Sequence, residues 1–279
     1  MKIGISVYGR GLYGNDNYKK MREHGFDAVD YFLLANTESL PYQVSEDELK
    51  ALMEKEKNLA AEAGIEIFQT HGPWRWPPQD ATDEDRAERL DKMKTCVRAT
   101  SYLGCKYMVI HPIMPYHTDD KLKGKEKETF ELNVTFMREL VAYAKDFGIT
   151  VCLENMPMRN LSISTASEIL DFVKYINEDN FKVCLDTGHS AVTSGADVGK
   201  YVRLLGDYLK VLHVHDNNGE KDEHKPMGEG IIDWQDFAKS LQDIGYDGVF
   251  CIEIALPSKE GTDQRAIALA NSARDIMGV

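Results

Sequence analysis

The sequence predicts an α/β fold, a single (β/α)8 TIM barrel that spans residues 1–279 as one domain. Eight short runs rich in apolar and β-branched residues alternate with segments of helical periodicity. These runs are apolar throughout, as expected of strands that are buried on both faces of a parallel sheet. No linker-like segment divides the 279 residues. Eight strand–helix units in a chain of this length fit a closed barrel better than an open sheet.

The predicted strands are distributed evenly along the chain, at residues 2–8, 26–32, 65–70, 107–112, 149–155, 181–187, 209–215 and 248–254. Two predicted helices begin with a capping box, Ser45 with Glu48 and Thr165 with Glu168, in which each side chain bonds the other's backbone N–H. Glycine precedes several strands, at the position where a helix ends in a left-handed conformation. These glycines are Gly25, Gly64, Gly104, Gly148 and Gly245.

Composition narrows the range of functions. The chain has 33 Lys and Arg against 46 Asp and Glu, a formal net charge of −13, which argues against nucleic acid as a partner because polyanions bind basic surfaces. No apolar run reaches the roughly 18 residues of a membrane span, and the N-terminus opens directly into a strand pattern, so we expect no signal peptide. The 5 cysteines lack paired spacing, which favours a reduced, cytoplasmic protein.

The loop after the first predicted strand contains Gly9, Gly11 and Gly14 in the pattern G-x-G-x-x-G, and Asp30 ends the second strand. This arrangement is similar to a dinucleotide-binding fingerprint. The motif alone is a weak signal, and the chain lacks the pattern of a second domain. We therefore interpret the segment as a loop at the barrel mouth and expect no nucleotide cofactor.

Each predicted strand from the third to the eighth ends in an imidazole or a carboxylate, and the carboxyl ends of barrel strands form the functional face. Glu154, Asp186 and Glu253 would therefore converge at one barrel mouth. Three carboxylates at such short distances repel one another unless a cation compensates their charge. The pattern predicts one divalent metal ion, and oxygen-rich ligation with an imidazole suits Mn²⁺, Zn²⁺, Mg²⁺ or Co²⁺.

Three cysteines, Cys152, Cys184 and Cys251, each stand two residues before one of these acids. A period of two places each cysteine on the same strand face as its acid, one layer deeper in the barrel. We interpret them as small apolar floor residues beneath the metal. A thiolate zinc site is disfavoured, because that layer lies roughly 7 Å below the acids.

The runs ENMP, CLDTGHS, LHVHDNNGEKDEHKPMGEGIIDW and IEI resemble the xylose-isomerase-like barrel superfamily, and most closely its sugar phosphate isomerase/epimerase branch. The resemblance covers essentially the whole chain. It implies one divalent metal ion on Glu154, Asp186, His213 and Glu253. It favours His213 over His215, because the family's metal histidine lies three residues before an acid, here Asp216. His189 matches the family's substrate-facing histidine.

The same superfamily contains endonuclease IV, which cleaves DNA at abasic sites with three zinc ions. Its ligand pattern also maps onto this chain, at His71, His111, Glu154, Asp186, His189, His213, Asp222, His224 and Glu253. Asp222 and His224 would then bind additional metal, or else belong to a loop that grips the substrate. The loop after His71 is aromatic and then acidic, and no basic stripe is evident, so electrostatics favours the isomerase/epimerase.

An isomerase or epimerase removes a proton next to a carbonyl, through an enediolate that the metal stabilises. We expect Glu154 and Glu253 to be the acid/base pair. The substrate would be a small sugar or sugar phosphate. Arg10, Arg159 and Lys225 are loop cations that could hold a phosphate, and a solvated surface role is the default expectation for each. The expected substrate contacts are His71, His111, His189, His215, His224, Trp74 and Arg159.

Three alternatives stay open at this point. The first is the endonuclease. The second is a dehydratase of a cyclic polyol, of the inosose type, which would use the same metal and base to expel a hydroxyl. The third is a non-catalytic sugar- or metal-binding barrel, which the presence of both Glu154 and Glu253 disfavours. Assembly into a homo-oligomer is compatible with each of them.

Overall fold

The computed structural model of the chain describes residues 1–7, 12–14, 17–257 and 259–279. Its strands are β1 (Lys2–Ser6), β2 (Ala28–Tyr31), β3 (Glu66–His71), β4 (Tyr107–Ile110), β5 (Thr150–Glu154), β6 (Phe181–Asp186), β7 (Leu209–His213) and β8 (Val249–Ile252). They form one sheet of parallel strands in the order β7-β6-β5-β4-β3-β2-β1-β8. Just beyond β7, Val214 pairs with Ile252, and its N–H donates to the Cys251 carbonyl at 2.8 Å. The predicted (β/α)8 barrel is therefore confirmed.

The helices of the described residues are α1 (Tyr18–Glu23), α2 (Glu46–Glu62), α3 (Asp83–Tyr102), α4 (Asp120–Lys123), α5 (Glu126–Asp146), α6 (Ala166–Ile176), α7 (Thr187–Ser194), α8 (Gly199–Leu205), α9 (Trp234–Asp243) and α10 (Thr262–Met277). None of them is long and apolar enough to cross a membrane. Most of the predicted glycine-rich segment, with Gly9, Arg10 and Gly11, lies outside the described residues.

The local sequence explains how these helices begin and end. Both predicted capping boxes form, at the start of α2 and at the start of α6. A third box, in which Thr82 pairs with Asp85, starts α3. The sequence pattern did not predict this box, because its acid is Asp rather than Glu. The five predicted helix-ending glycines all have positive φ angles, from 64° to 94°.

Successive side chains of a strand point alternately toward the helices and toward the inside of the barrel, and the buried residues form separate clusters accordingly. Val151 and Leu153 of β5 belong to the large cluster of buried residues that also takes in helix side chains, whereas Cys152 belongs to a small cluster with Val109, Cys184 and Val211. Cys251 lies in another small cluster, with Ala28 and Val249. The three cysteines thus form part of an apolar floor, as predicted, and the acids that follow them lie one layer higher.

Candidate metal centre

Four polar side chains meet where β5, β6, β7 and β8 end. Glu154, Asp186, His213 and Glu253 are all buried, and one potential ligand atom from each lies within 4.8 Å of the others. His213 Nδ1 is 3.3 Å from Glu154 Oε1 and 3.1 Å from Glu253 Oε2. The structure therefore brings together the four residues that the sequence predicts as metal ligands.

Asp30, at the end of β2, sets the orientation of His213. Its Oδ2 lies 3.0 Å from His213 Nε2 and also accepts from Ser6 Oγ at 3.2 Å and from Gln69 Nε2 at 3.3 Å. A carboxylate oxygen accepts the Nε2 proton, so Nδ1 is the ring nitrogen of His213 that faces Glu154 and Glu253. A carboxylate behind an imidazole is typical of metal-binding histidines. In the sequence, Asp30 stands out only as part of a weak nucleotide-binding pattern, and nothing there predicts this role.

Three other histidines are oriented in the same way, but by backbone carbonyls. In each, Nδ1 lies 2.7–2.8 Å from a carbonyl oxygen: His71 on Gly72, His189 on Asn155 and His224 on Glu253. A carbonyl can only accept, so Nδ1 carries the proton and each Nε2 is left to bind elsewhere.

The Nε2 atoms of these three histidines, together with that of His111, form two further groups around the four-residue cluster. His71 Nε2 and His111 Nε2 are 3.2 Å apart, and they lie 3.5 Å and 3.2 Å from Glu154 Oε2. His189 Nε2 and His224 Nε2 lie 3.3 Å and 3.2 Å from Asp222 Oδ2. Each group offers two imidazole nitrogens and a carboxylate oxygen, which are ligands that Zn²⁺ and similar cations accept.

The charges of these groups depend on one another. Burial raises the pKa of Glu154, but His213 and His111 lower it by more, so that the pKa lies well below its ordinary value. Burial also raises the pKa of Glu253, and His213 and His224 bring it below the ordinary value. Both carboxylates are therefore ionised at neutral pH. Burial lowers the pKa of His111 to about 4, which keeps that imidazole neutral and able to act as a ligand.

The four-residue cluster fits a divalent cation. Glu154 Oε2 and His213 Nδ1 are buried and form no hydrogen bond with another described group. Two buried polar atoms of this kind are costly unless something compensates them. A cation between the carboxylates and the imidazole would satisfy both atoms and neutralise the carboxylate charge.

Cys184 lies closer to the centre than we expected from the strand rise. Its Sγ is within 4.8 Å of the ligand atoms of Glu154 and His213. The rise describes backbone positions, and side chains from adjacent inward positions can lean toward each other. Burial raises the pKa of this thiol well above its ordinary value, so the residue stays protonated and belongs to the floor.

A cavity of about 670 Å³ opens over the cluster. Its walls are aromatic and apolar, and are formed by Phe32, Trp74, Trp76, Met156, Pro157, Met158 and Ala255. Its base is polar and contains His111, Glu154, His189, Asp222, His224 and Glu253. A concave, mostly apolar pocket with a few convergent polar groups is typical of a small-molecule site.

Four of the predicted substrate contacts, His111, His189, His224 and Trp74, line this cavity. The structure does not bring the other three, His71, His215 and Arg159, to its surface. His71 is almost fully buried beside Glu154.

His215 lies beneath His224, with the two rings stacked 4.0 Å apart, and its Nε2 is 3.1 Å from Asp186 Oδ2. The absence of a side chain at Gly188 makes room for this ring, since a Cβ there would lie 2.0 Å from His215 Cε1. The Arg159 guanidinium donates to the carbonyls of Val192 and Gly219, at 2.9 Å and 3.2 Å. It therefore ties two loops together instead of facing the cavity.

Asp216 holds the loop that carries Asp222 and His224. Its Oδ2 accepts from the backbone N–H of Gly228 at 3.0 Å, from Gly230 at 3.1 Å and from Trp234 Nε1 at 2.9 Å. The loop is thereby fixed to the end of β7 by a fully buried carboxylate. In the sequence, Asp216 only favoured His213 over His215 as the metal ligand. Its role in positioning the loop was not predicted.

Comparisons with known proteins agree with this architecture. A family model described as the xylose isomerase-like TIM barrel matches residues 18–272. D-psicose 3-epimerase of Ruminiclostridium cellulolyticum is 29% identical over 237 residues, which cover 84% of this chain and 76% of that protein. A probable endonuclease 4 of Mycoplasmopsis agalactiae is 25% identical over 192 residues, which cover 64% of this chain and 65% of that protein. The crystal structure of a D-tagatose 3-epimerase-like protein superposes with a TM-score of 0.77 at 28% identity, covering 100% of this chain and 98% of that one.

Proposed function

This chain belongs to the xylose isomerase-like TIM barrel family, and we propose that it is a divalent-metal-dependent enzyme that isomerises or epimerises a sugar. The observation that carries the proposal is the pair Glu154 and Glu253, two ionised carboxylates that line one cavity and lie 3.3 Å and 3.1 Å from His213 Nδ1. The similarity to D-psicose 3-epimerase and to the D-tagatose 3-epimerase-like protein supports the same reaction type.

The reaction breaks a C–H bond next to a carbonyl and later forms it again. The pKa values of Glu154 and Glu253 lie below the ordinary range, so both are ionised and each has a lone pair to accept a proton, although the lowered pKa makes each a weaker base than a free Glu side chain. One would take it from one side of the substrate carbon, and the other would return it to that carbon or to its neighbour. A cation held by these two residues with Asp186 and His213 would supply positive charge next to the substrate oxygens.

Other residues of the cavity would orient the substrate. His189 lines the cavity with its ring fixed by the Asn155 carbonyl, so it can meet a sugar hydroxyl in a defined direction. Trp74 and Trp76 lie 6.1 Å apart with an interplanar angle of 32°. Their faces would pack against the C–H face of a sugar.

We further propose a free sugar rather than a sugar phosphate. Among the described residues, the cavity lining includes three carboxylates, Glu154, Asp222 and Glu253, and no Lys or Arg. A phosphate group placed there would find no Lys or Arg to pair with among the described lining residues.

The test is solvent exchange. Purified protein, loaded separately with Mn²⁺, Co²⁺, Mg²⁺ or Zn²⁺, is incubated in D₂O with a panel of free ketohexoses and ketopentoses and with their phosphates. Deuterium should enter the carbon next to the carbonyl of at least one free ketose, and only with a cation present. If no ketose exchanges with any of the four cations, the proposal fails.

A second candidate function, an abasic-site endonuclease with three metal ions, has one specific observation in its favour. The nine residues of that ligand pattern all lie in the three adjoining groups described above, and a probable endonuclease 4 is among the relatives. The net charge of −13 argues against it. Elemental analysis with a nicking assay on abasic duplex DNA distinguishes the two, because three zinc ions with nicking would replace the isomerase with the endonuclease.

A further inference from the structure

A second cavity, of about 620 Å³, adjoins the metal cavity. The two share the wall formed by Phe32, Trp74 and Trp76. On the far side of this wall, the lining comes from the segment after β2, with Leu33 and Leu40, and from α2, with Leu52. We call this space the side cavity.

The side cavity has a mixed lining. Its apolar residues are joined by the polar residues Asn36, Ser39 and Glu56, and Tyr18 donates a hydrogen bond to Glu56 Oε2 at 2.8 Å. Among the described residues, no Lys or Arg lines it. Aromatic faces combined with neutral and anionic hydrogen-bonding groups suit an uncharged ligand with many hydroxyls. Ser39 Oγ is buried and forms no hydrogen bond with another described group, and a purely hydrocarbon ligand would leave this hydroxyl unpaired.

The rim of the side cavity leaves large apolar side chains in water. Trp76 is 59% exposed and Leu40 is 55% exposed. Large apolar side chains grouped at the edge of a cavity are typical of a binding surface. A ligand that extended from the metal cavity across Trp76 would cover both.

We propose that the side cavity binds the second sugar ring of a glycosylated keto sugar whose reacting ring lies over the metal centre. The inference rests on the proposed sugar isomerase or epimerase activity and adds a class of substrate to it. Each cavity has the volume of a complete ligand site, so a single sugar ring over the metal leaves the side cavity unfilled. The shared aromatic wall gives both rings a flat surface to pack on.

Binding by the cation-loaded protein tests this directly. Calorimetry compares fructose with two fructose derivatives that carry a glucose on O4 or on O6, maltulose and palatinose. The variant Leu52→Trp fills the side cavity from α2. Leu59→Trp makes the same change two turns further along the same helix, at a partly buried position that lines neither cavity.

At least one disaccharide should bind about tenfold more tightly than fructose, as expected when a second ring is removed from water. In Leu52→Trp, this preference should disappear, whereas Leu59→Trp should keep it. Equal affinity for fructose and both disaccharides would overturn the proposal, as would an equal loss in both variants. A change of oligomeric state in Leu52→Trp, seen by light scattering, would also overturn it by assigning the cavity to an interface. The deuterium-exchange test decides the proposed function separately, because calorimetry does not depend on turnover.

Discussion

Asp30 gives the sharpest test of how the barrel prepares its metal centre. The change Asp30→Asn keeps the volume of the side chain and removes its charge. In the native structure, one oxygen of Asp30 accepts from Ser6, Gln69 and His213, and the residue is fully buried. An amide can still offer one acceptor, but it no longer binds the His213 N–H with a charge-assisted hydrogen bond, which is roughly twice as strong as a neutral one.

The expected effect is a loss of metal affinity. Replacing the partner behind a metal-binding histidine typically costs about 10–100-fold in affinity, which corresponds to about 1.4–2.7 kcal/mol. His213 would also lose part of its preference for the tautomer that points Nδ1 toward Glu154 and Glu253. Titration of the metal-free protein with Mn²⁺ or Zn²⁺, followed by calorimetry, measures the change.

The control is Asp120→Asn, a second fully buried carboxylate that lies outside the site. Asp120 accepts from the backbone N–H groups of Lys121 and Ser162, each at 2.9 Å. Its substitution should lower the free energy of unfolding and leave metal affinity within about twofold of the native value. If Asp30→Asn binds the cation as tightly as native protein does, or if Asp120→Asn weakens binding equally, then the orienting role of Asp30 is refuted.

Three other predictions follow from single residues. Glu154→Gln and Glu253→Gln should each abolish deuterium exchange into the substrate; near-native exchange with metal retained in either variant would remove that residue from the acid/base pair. Asp216→Asn should raise KM more than it lowers kcat, because the loop with Asp222 loses its charged anchor, and steady-state kinetics would show an unchanged KM if the anchor were irrelevant. Burial lowers the pKa of His111 from 6.5 to about 4, so between these pH values the unfolded chain binds a proton that the folded chain does not. The contribution of the neutral His111 to the free energy of unfolding is therefore present above pH 6.5 and is lost as the pH falls toward 4. In metal-free His111→Asn, urea unfolding should therefore show a smaller loss over that range, by about 3 kcal/mol, and an unaltered pH dependence would contradict the assignment.

The strands and the convergence of the acids could be predicted because each depends on short-range pattern. Cys152 and Glu154 lie two residues apart, so one observation places the floor and the ligand on the same face. The barrel then brings the ends of β5, β6, β7 and β8 together without any knowledge of side-chain packing. This is why Glu154, Asp186 and Glu253 could be grouped from the sequence.

The missed features depend on side-chain direction over long separations. Asp30 and His213 are 183 positions apart, and no local pattern links them. Arg159 stands in a loop next to the site, and only the positions of the Val192 and Gly219 carbonyls turn its guanidinium away. His215 follows the strand alternation as predicted, but its ring packs against Gly188 and under another ring.

Under the proposed function, Glu154 would connect the number of bound cations to the reaction. Its Oε2 faces His71 and His111, at 3.5 Å and 3.2 Å, whereas its Oε1 faces His213 at 3.3 Å. A single cation on the His213 side would leave Oε2 able to accept a proton. A second cation on the His71 and His111 side would engage Oε2 as a ligand, and a carboxylate with both oxygens bound to cations is a poor base. Under the proposed function, one cation would therefore suit proton transfer, whereas filling all three groups would suit the endonuclease named as the second candidate, and occupancy of the His71 and His111 pair would select between the two.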